Sequence, residues 1–280
     1  DEVISYKPIS EGARAGFEVV KRFRNSTITQ KIYLYNELDR IDFDTVVDWH
    51  LRHIIVKAAF PVDVNTNKAT YEIQFGNIER EHTENTSWDV AKFETCAHKW
   101  ADISDNGYGM ALMNDCKYGH SVVDDSTLQL SLLRCGNNFD EKPNDQGEHI
   151  MSYSIIPHSG NYIDADIVRK AYAFNNPMLV KEINNSDGEL AQSFSLIKTE
   201  NKNIIIDTVK KAEDSENIII RIYESQNIKD KIKLSFGIDI KKLYLCDLLE
   251  NIEKEIEVKD NTAVLDVNNF EIITLMAEVK

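Results

Sequence analysis

Five runs between Phe17 and Phe75 are marked by period-two alternation or by β-branched and aromatic residues, and that pattern points the chain to antiparallel β-structure. The runs are 17–23, 27–35, 40–48, 53–62 and 68–75. In the second, Ile28, Gln30, Ile32 and Leu34 alternate against Thr29, Lys31, Tyr33 and Tyr35. No apolar 3.6-residue period long enough for a helix interrupts them. Consecutive strands at short spacing pair with their neighbours, so a sandwich or barrel is expected. Pro61 suits a strand end, since proline cannot donate to a central ladder. Residues 76–90 break the alternation and are read as a surface loop ending at Trp88. Further strands are expected at 91–96, 110–113, 128–133 and 150–156.

Around the second group of strands the polar residues collect at strand ends. The apolar run Met110–Met113 stops abruptly at Asn114-Asp115 and is followed by a glycine-closed polar loop. It reads as a buried strand that delivers Asp115, Lys117 and Tyr118 to the end of a sheet. Leu128, Leu130 and Leu132 alternate toward a core, with Arg134 at the strand's exit. The loop 136–149 is long and polar, as functional or mobile loops often are. One helix is expected: Asp164 as its cap, Asp166 in its first turn, and Ile167, Val168, Ala171 and Tyr172 on one face, with Pro177 just beyond. The turn cluster 184–189 marks the expected boundary between a domain of residues 1–188 and a smaller one of residues 189–280. Beyond it, 204–206, 218–223, 232–236, 263–267 and 272–277 read as strands. Residues 241–256 carry helix-forming residues but keep no consistent helical face, and are read as strand and loop.

Composition narrows the function classes. The 280 residues are 42% hydrophobic and 28% charged, as in an ordinary soluble protein. No run approaches the roughly 20 apolar residues that cross a bilayer. The first residues lack a basic region followed by an apolar core, so no signal peptide is expected, and Asp1 in place of Met reads as a trimmed start. A net charge of −15 disfavours nucleic acid and anionic membrane as partners. Cys96, Cys116, Cys135 and Cys246 follow no CxxC spacing, which fits free thiols in a reducing cytoplasm. The glycosylation sequons at Asn25, Asn85 and Asn184 are then chance matches.

No GxSxG elbow, Walker loop, GxGxxG, HExxH or CxxC pair occurs. His50 and His53 would pair on a metal only from a helix, against the surrounding strand pattern, so no metal site is expected. What remains is three strand-exit groups: residues 114–119, Arg134, and residues 145–149 with Gln146, Glu148 and His149. Carboxylate, amide, ammonium and aromatic groups at strand ends suit a sugar, whose hydroxyls need donors and acceptors and whose ring faces stack on aromatics. The structural alternative is that Asp115 and Asp145 cap turns while Glu148 and Arg134 form an ion pair.

The motifs, in order, resemble the C-terminal region of glycoside hydrolase family 38 α-mannosidases, in particular the cytosolic and bacterial branch. They are Phe75-Gly76-Asn77-Ile78-Glu79-Arg80, Asn85-Thr86-Ser87-Trp88-Asp89, Ala97-His98-Lys99-Trp100-Ala101-Asp102 and Gly107-Tyr108-Gly109 through Leu112. Asn114-Asp115-Cys116-Lys117-Tyr118-Gly119, Leu130-Ser131-Leu132-Leu133-Arg134, Asp145-Gln146-Gly147-Glu148-His149 and Pro157-His158-Ser159-Gly160 continue the series. Arg221-Ile222-Tyr223-Glu224 and Phe270-Glu271-Ile272-Ile273-Thr274 resemble the family's closing β-domain.

The resemblance implies an all-β chain: a large antiparallel β-super-sandwich, galactose mutarotase-like, followed by a small C-terminal β-sandwich. It also implies that zinc, the Asp nucleophile and the retaining chemistry belong to an N-terminal barrel whose motifs are not in these residues. The expected role is accessory, with no catalytic residue and no cofactor here. Asn114, Asp115, Lys117, Tyr118, Arg134, Gln146, Glu148 and His149 would shape a site for a mannose-containing oligosaccharide beside the protein's own barrel. An exposed apolar or mixed patch is expected beside these loops, and with it a possible homo-oligomer. Two alternatives stay open: an autonomous carbohydrate-binding module, and a mutarotase-like epimerase using Glu148, His149 and His158.

Overall fold

The alternating runs fold into consecutive antiparallel strands. In the computed structural model, which describes residues 2–105, 107–124, 126–136, 145–184, 188 and 191–280, the first strands are β1 (Glu2–Glu11), β2 (Arg14–Phe23), β3 (Ser26–Tyr35), β4 (Ile41–Trp49), β5 (Ile54–Pro61) and β6 (Lys68–Ile73). They continue as β7 (Gly76–Glu81), helix α1 (Ser87–Ala91), β8 (Thr95–Cys96), β9 (Trp100–Ser104), β10 (Tyr108–Asn114), β11 (Gly119–Val123), β12 (Thr127–Cys135), β13 (Gly147–Ser159) and helix α2 (Ile167–Asn175). Several stretches depart from expectation: β1, β9 and β11 were not expected as strands. The supposed loop 76–90 holds β7 and most of α1, and the strand expected at 91–96 shrinks to β8. Local chemistry explains α1: the Thr86 hydroxyl accepts from the Asp89 amide and the Asp89 carboxylate accepts from the Thr86 amide, a capping box.

β1 escapes sequence reading for a physical reason. Its side chains are nearly all exposed, with no other sheet or helix among the described residues covering either face, and they carry no alternation. It is an edge strand, and a register shift between Val3 and Ser5, together with Pro8, interrupts its outer row of donors.

Nine strands form one sheet in the order β1-β2-β3-β4-β13-β10-β9-β6-β7, and four form a second in the order β5-β12-β11-β8. The core between them takes Val47, Trp49, Ile103, Met110, Leu112, Met151 and Tyr153 from the large sheet and Leu128, Leu130, Leu133 and Cys135 from the small one. β10 is apolar without alternation because both its faces are covered. Met110 and Leu112 enter the core, while Ala111 and Met113, equally buried, face the side on which α2 packs. The helix is the expected one, with Ile167, Val168 and Ala171 buried, but its start differs. Asp166, in a left-handed conformation, holds the cap position, and Asp164 instead accepts from the Asn161 amide in the preceding turn.

Gly109, on β10, is a packing requirement. A Cβ there would lie 2.4 Å from Ser104 Cβ and 2.6 Å from the His158 ring. That ring is buried with its Nε2 2.6 Å from Asp102 Oδ2. Gly109→Ala is expected to lose roughly 1–3 kcal/mol by overpacking, read as a drop in thermal midpoint.

By contacts the chain divides into Asp1–Ile73 with Ile78–Pro177, and Gln74–Asn77 with Met178–Lys280. Most of the turn cluster expected as a boundary, 185–187 and 189, lies outside the described residues. The second unit holds β14 (Ile197–Thr199), β15 (Ile204–Lys211), β16 (Ile218–Glu224), β17 (Asp230–Phe236), β18 (Ile240–Cys246), β19 (Ile252–Ile256), β20 (Val258–Lys259), β21 (Thr262–Val267) and β22 (Ile272–Val279). Sheets β14-β17-β21-β20 and β15-β16-β22-β18-β19 enclose Ile222, Ile232, Leu234, Leu243, Leu265 and Leu275. Residues 241–256 are strand and turn, as their missing helical face implied. The chain is all-β, built as a large sandwich and a small one.

Candidate functional site

Antiparallel pairing gathers the strand-exit loops at one end of the large sandwich. β10 ends at Asn114 opposite Tyr153, and β4 ends at Trp49 opposite Gly147, where β13 begins. β12 ends at Cys135 opposite Ile54, the first residue of β5. The loops therefore share an end but form two groups. Ser152, which pairs with Asp115, and Gly147 are five residues apart on β13, about 17 Å of strand.

In the first group the loop builds itself from its own polar residues. Asn114 is buried; its Nδ2 donates to the His98 carbonyl at 2.9 Å and its Oδ1 accepts from the Lys117 amide at 2.6 Å. Asp115 Oδ2 accepts from the Ser152 amide at 3.0 Å, while its own amide donates to the Ser152 carbonyl. These two residues set the loop's shape. Lys117 is half-buried and its ammonium meets no partner among the described residues, and the exposed Tyr118 ring stands edge-on to His98 at 5.5 Å. Burial first, then the Asp115 carboxylate, raises the Cys116 thiol to about 11, so it stays protonated near neutrality and is no nucleophile.

The second group is looser. Gln146 Nε2 donates to the His50 carbonyl at 3.0 Å, and His149 Nε2 lies 3.0 Å from the Asp145 carbonyl, with Asp145 at φ 53°. Residues 137–144 of the long loop lie outside the described residues. Arg134 and Glu148 do not meet. A bulge leaves Leu132 unpaired between Ser131 and Leu133, which reverses the parity of β12. Leu133 and Cys135 then enter the core and Arg134 points away from it on the small sheet. Met151 and Tyr153 face the core from β13, so Glu148 points away from it on the large sheet. The ion pair between Arg134 and Glu148, one part of the structural alternative, is thus absent, because the two lie on opposite outer faces. The epimerase trio fails similarly. Glu148 and His158 sit at opposite ends of β13, about 33 Å apart along the strand.

Three residues of this end carried no role in the sequence reading. Glu72 is buried on β6 and accepts from both the Lys99 amide and, at 2.9 Å, the Lys99 ammonium. The ammonium also lies 4.5 Å from the centre of the Tyr172 ring. The available signal was the motif Ala97-His98-Lys99-Trp100, combined with a carboxylate in an otherwise half-apolar strand. Trp88, Val90 and Phe93, on or just after α1, are exposed apolar groups, and the residues of α1 are all unburied. Among the described residues, no group of three or more His, Cys, Asp or Glu side chains is placed to hold a metal ion. No described helix is long and apolar enough to cross a membrane.

Comparison with known proteins places this geometry among relatives. Residues 3–140 match the model described as the glycosyl hydrolases family 38 C-terminal domain, and residues 203–275 the model of that family's C-terminal beta sandwich domain. The chain is 37% identical over 257 residues to alpha-mannosidase 2C1 of Homo sapiens, covering 90% of this chain and 24% of that protein. It is 36% identical over 254 residues to alpha-mannosidase G of Dictyostelium discoideum, covering 89% of this chain and 23% of that protein. It spans about a quarter of the length of both. Its fold matches the crystal structure of an alpha-mannosidase from Enterococcus faecalis V583 with a TM-score of 0.82 at 16% identity, over 98% of this chain and 35% of that one.

Proposed function

Since the chain belongs to the C-terminal region of glycosyl hydrolase family 38, we propose that it forms the accessory β-domains of a retaining α-mannosidase. The observation that carries this is the ordered match of both C-terminal family models within a quarter of proteins named alpha-mannosidases. The substrate would be a mannose-containing oligosaccharide in the cytoplasm. Zinc, the nucleophile and the acid–base group are assigned to an N-terminal barrel outside this chain. Here Lys117 and Tyr118 orient sugar hydroxyls and cover a ring face, held by Asn114 and Asp115. The Asp115 carboxylate is committed to a backbone amide, which suits it to shaping the loop and not to proton transfer. Arg134, Gln146, Glu148 and His149 furnish the more distant wall.

The isolated chain is expected to leave 4-nitrophenyl α-mannoside uncleaved with zinc present. In the longer protein, Tyr118→Ala and Lys117→Ala should each lower kcat/KM about tenfold, a loss near 1.4 kcal/mol of transition-state binding. Turnover by the isolated chain would refute the accessory role. Unchanged kinetics in both variants would return the loop to a purely structural one.

A further inference from the structure

A cleft of about 570 Å³ lies at the edge of the large sandwich, lined by the end of β7, by the segment 82–94 that leads through α1 to β8, and by β8 and β11. The edge is open because the large sheet stops at β7 and the small one at the two-residue β8. None of the eight residues considered above lines it. Its principal groups are Tyr71, Arg80, Glu84, Phe93, Glu94 and His120.

His120 is the telling one. Its side chain is 0% exposed, and its Nδ1 lies 3.3 Å from the Tyr118 carbonyl oxygen. A carbonyl only accepts, so Nδ1 carries the proton and Nε2 is left as a bare acceptor. Nε2 is buried with no partner among the described residues. Burial holds the imidazole down to about 4, so it is neutral at pH 7. A buried acceptor without a donor is costly and rare in folded proteins.

The charges around it are mostly committed. Glu94 accepts from Ser131 and pairs with Lys57 at 3.4 Å; Arg80 donates to the Cys96 carbonyl; Asp89 is held by Thr86 and Lys92. Glu81 and Glu84 remain exposed, without partners among the described residues, and repel anions. The exposed ring of Phe93 offers an apolar face.

We infer that this cleft is a second, non-catalytic binding site for a neutral, hydroxyl-rich ligand of one or two sugar rings. A hydroxyl donates to His120 Nε2, others donate to the free carboxylates, and a C–H face rests on Phe93. The volume lies within the usual range for small-molecule sites.

The test is a titration of the isotope-labelled 280-residue chain, followed by the ¹⁵N shift of His120 Nε2 and the amides of residues 80–84. Methyl α-mannoside and methyl β-glucoside are the neutral probes; inorganic phosphate and putrescine are the charged controls. At least one neutral sugar should move both sets of signals saturably, and Phe93→Ala, an exposed change that leaves the core intact, should weaken that binding about three- to tenfold. Three outcomes overturn the inference: no saturable response to either sugar, a response only to putrescine or phosphate, or an Nε2 already hydrogen-bonded in buffer and indifferent to every probe, as an enclosed water would make it. No turnover is read, so the result is independent of the mannosidase assignment.

Discussion

Glu224→Ala is expected to destabilise the second unit by about 3–5 kcal/mol, among the larger effects open to a single substitution. Glu224 ends β16 and is 0% exposed. Its Oε1 accepts from the Gln226 amide at 2.8 Å, and its Oε2 accepts from the amides of Ile228 at 3.2 Å and Phe270 at 3.0 Å. One carboxylate therefore ties the turn after β16 to the turn before β22. Both turns contain left-handed residues, Asn227 at φ 62° and Phe270 at φ 51°, which need such anchoring. Alanine leaves three amides without their acceptor, each a loss of about 1–3 kcal/mol if no water reaches it. Glu224→Gln keeps one carbonyl oxygen and should lose about half as much. Urea unfolding followed by a probe in the second unit measures both. A midpoint unchanged for the alanine variant would mean that the turns hold without the carboxylate.

Acidification should act most sharply on the first unit, through His120. Burial lowers its pKa from 6.5 to about 4, partly opposed by the Tyr118 carbonyl and the Glu94 carboxylate. Between those values the unfolded chain binds a proton that the folded chain refuses. The stabilisation is therefore complete above about pH 6.5 and is lost as pH falls toward 4, by about 3 kcal/mol in all. Carboxylates titrate in the lower part of the same window, so the useful quantity is a difference. His120→Gln should flatten the stability profile between pH 6.5 and 5 relative to the unmodified chain. Parallel profiles would show that His120 takes up its proton in the folded state.

How far the fold could be read from sequence depended on how each strand is covered. Half-buried strands such as β17 and β21 announce themselves, since one face meets the core and the other meets water. β10, covered on both faces, shows as the unbroken run Met110–Met113. β1, covered on neither, shows nothing. β7 was missed because Glu79 and Glu81 on a sheet edge look like loop residues, and α1 because it buries no side chain at all. The strand-exit motifs were visible as polar residues following apolar runs. Their roles were not: Asn114 and Asp115 hold backbone, whereas Tyr118 is exposed and the Lys117 ammonium is left without a partner among the described residues.

The sequence alone determined the all-β architecture, the smaller second β-domain and the family resemblance, because alternation, turn residues and ordered motifs are local properties of the chain. Tertiary structure decided which side of a sheet each polar group occupies. Arg134 is the clearest instance: simple alternation from Leu128, Leu130 and Leu132 would turn it into the core, and one unpaired residue in register with β5 turns it out. The cleft at His120 is another. No spacing in the sequence marks it, because it exists only where two sheets, paired through residues far apart in the chain, end without joining.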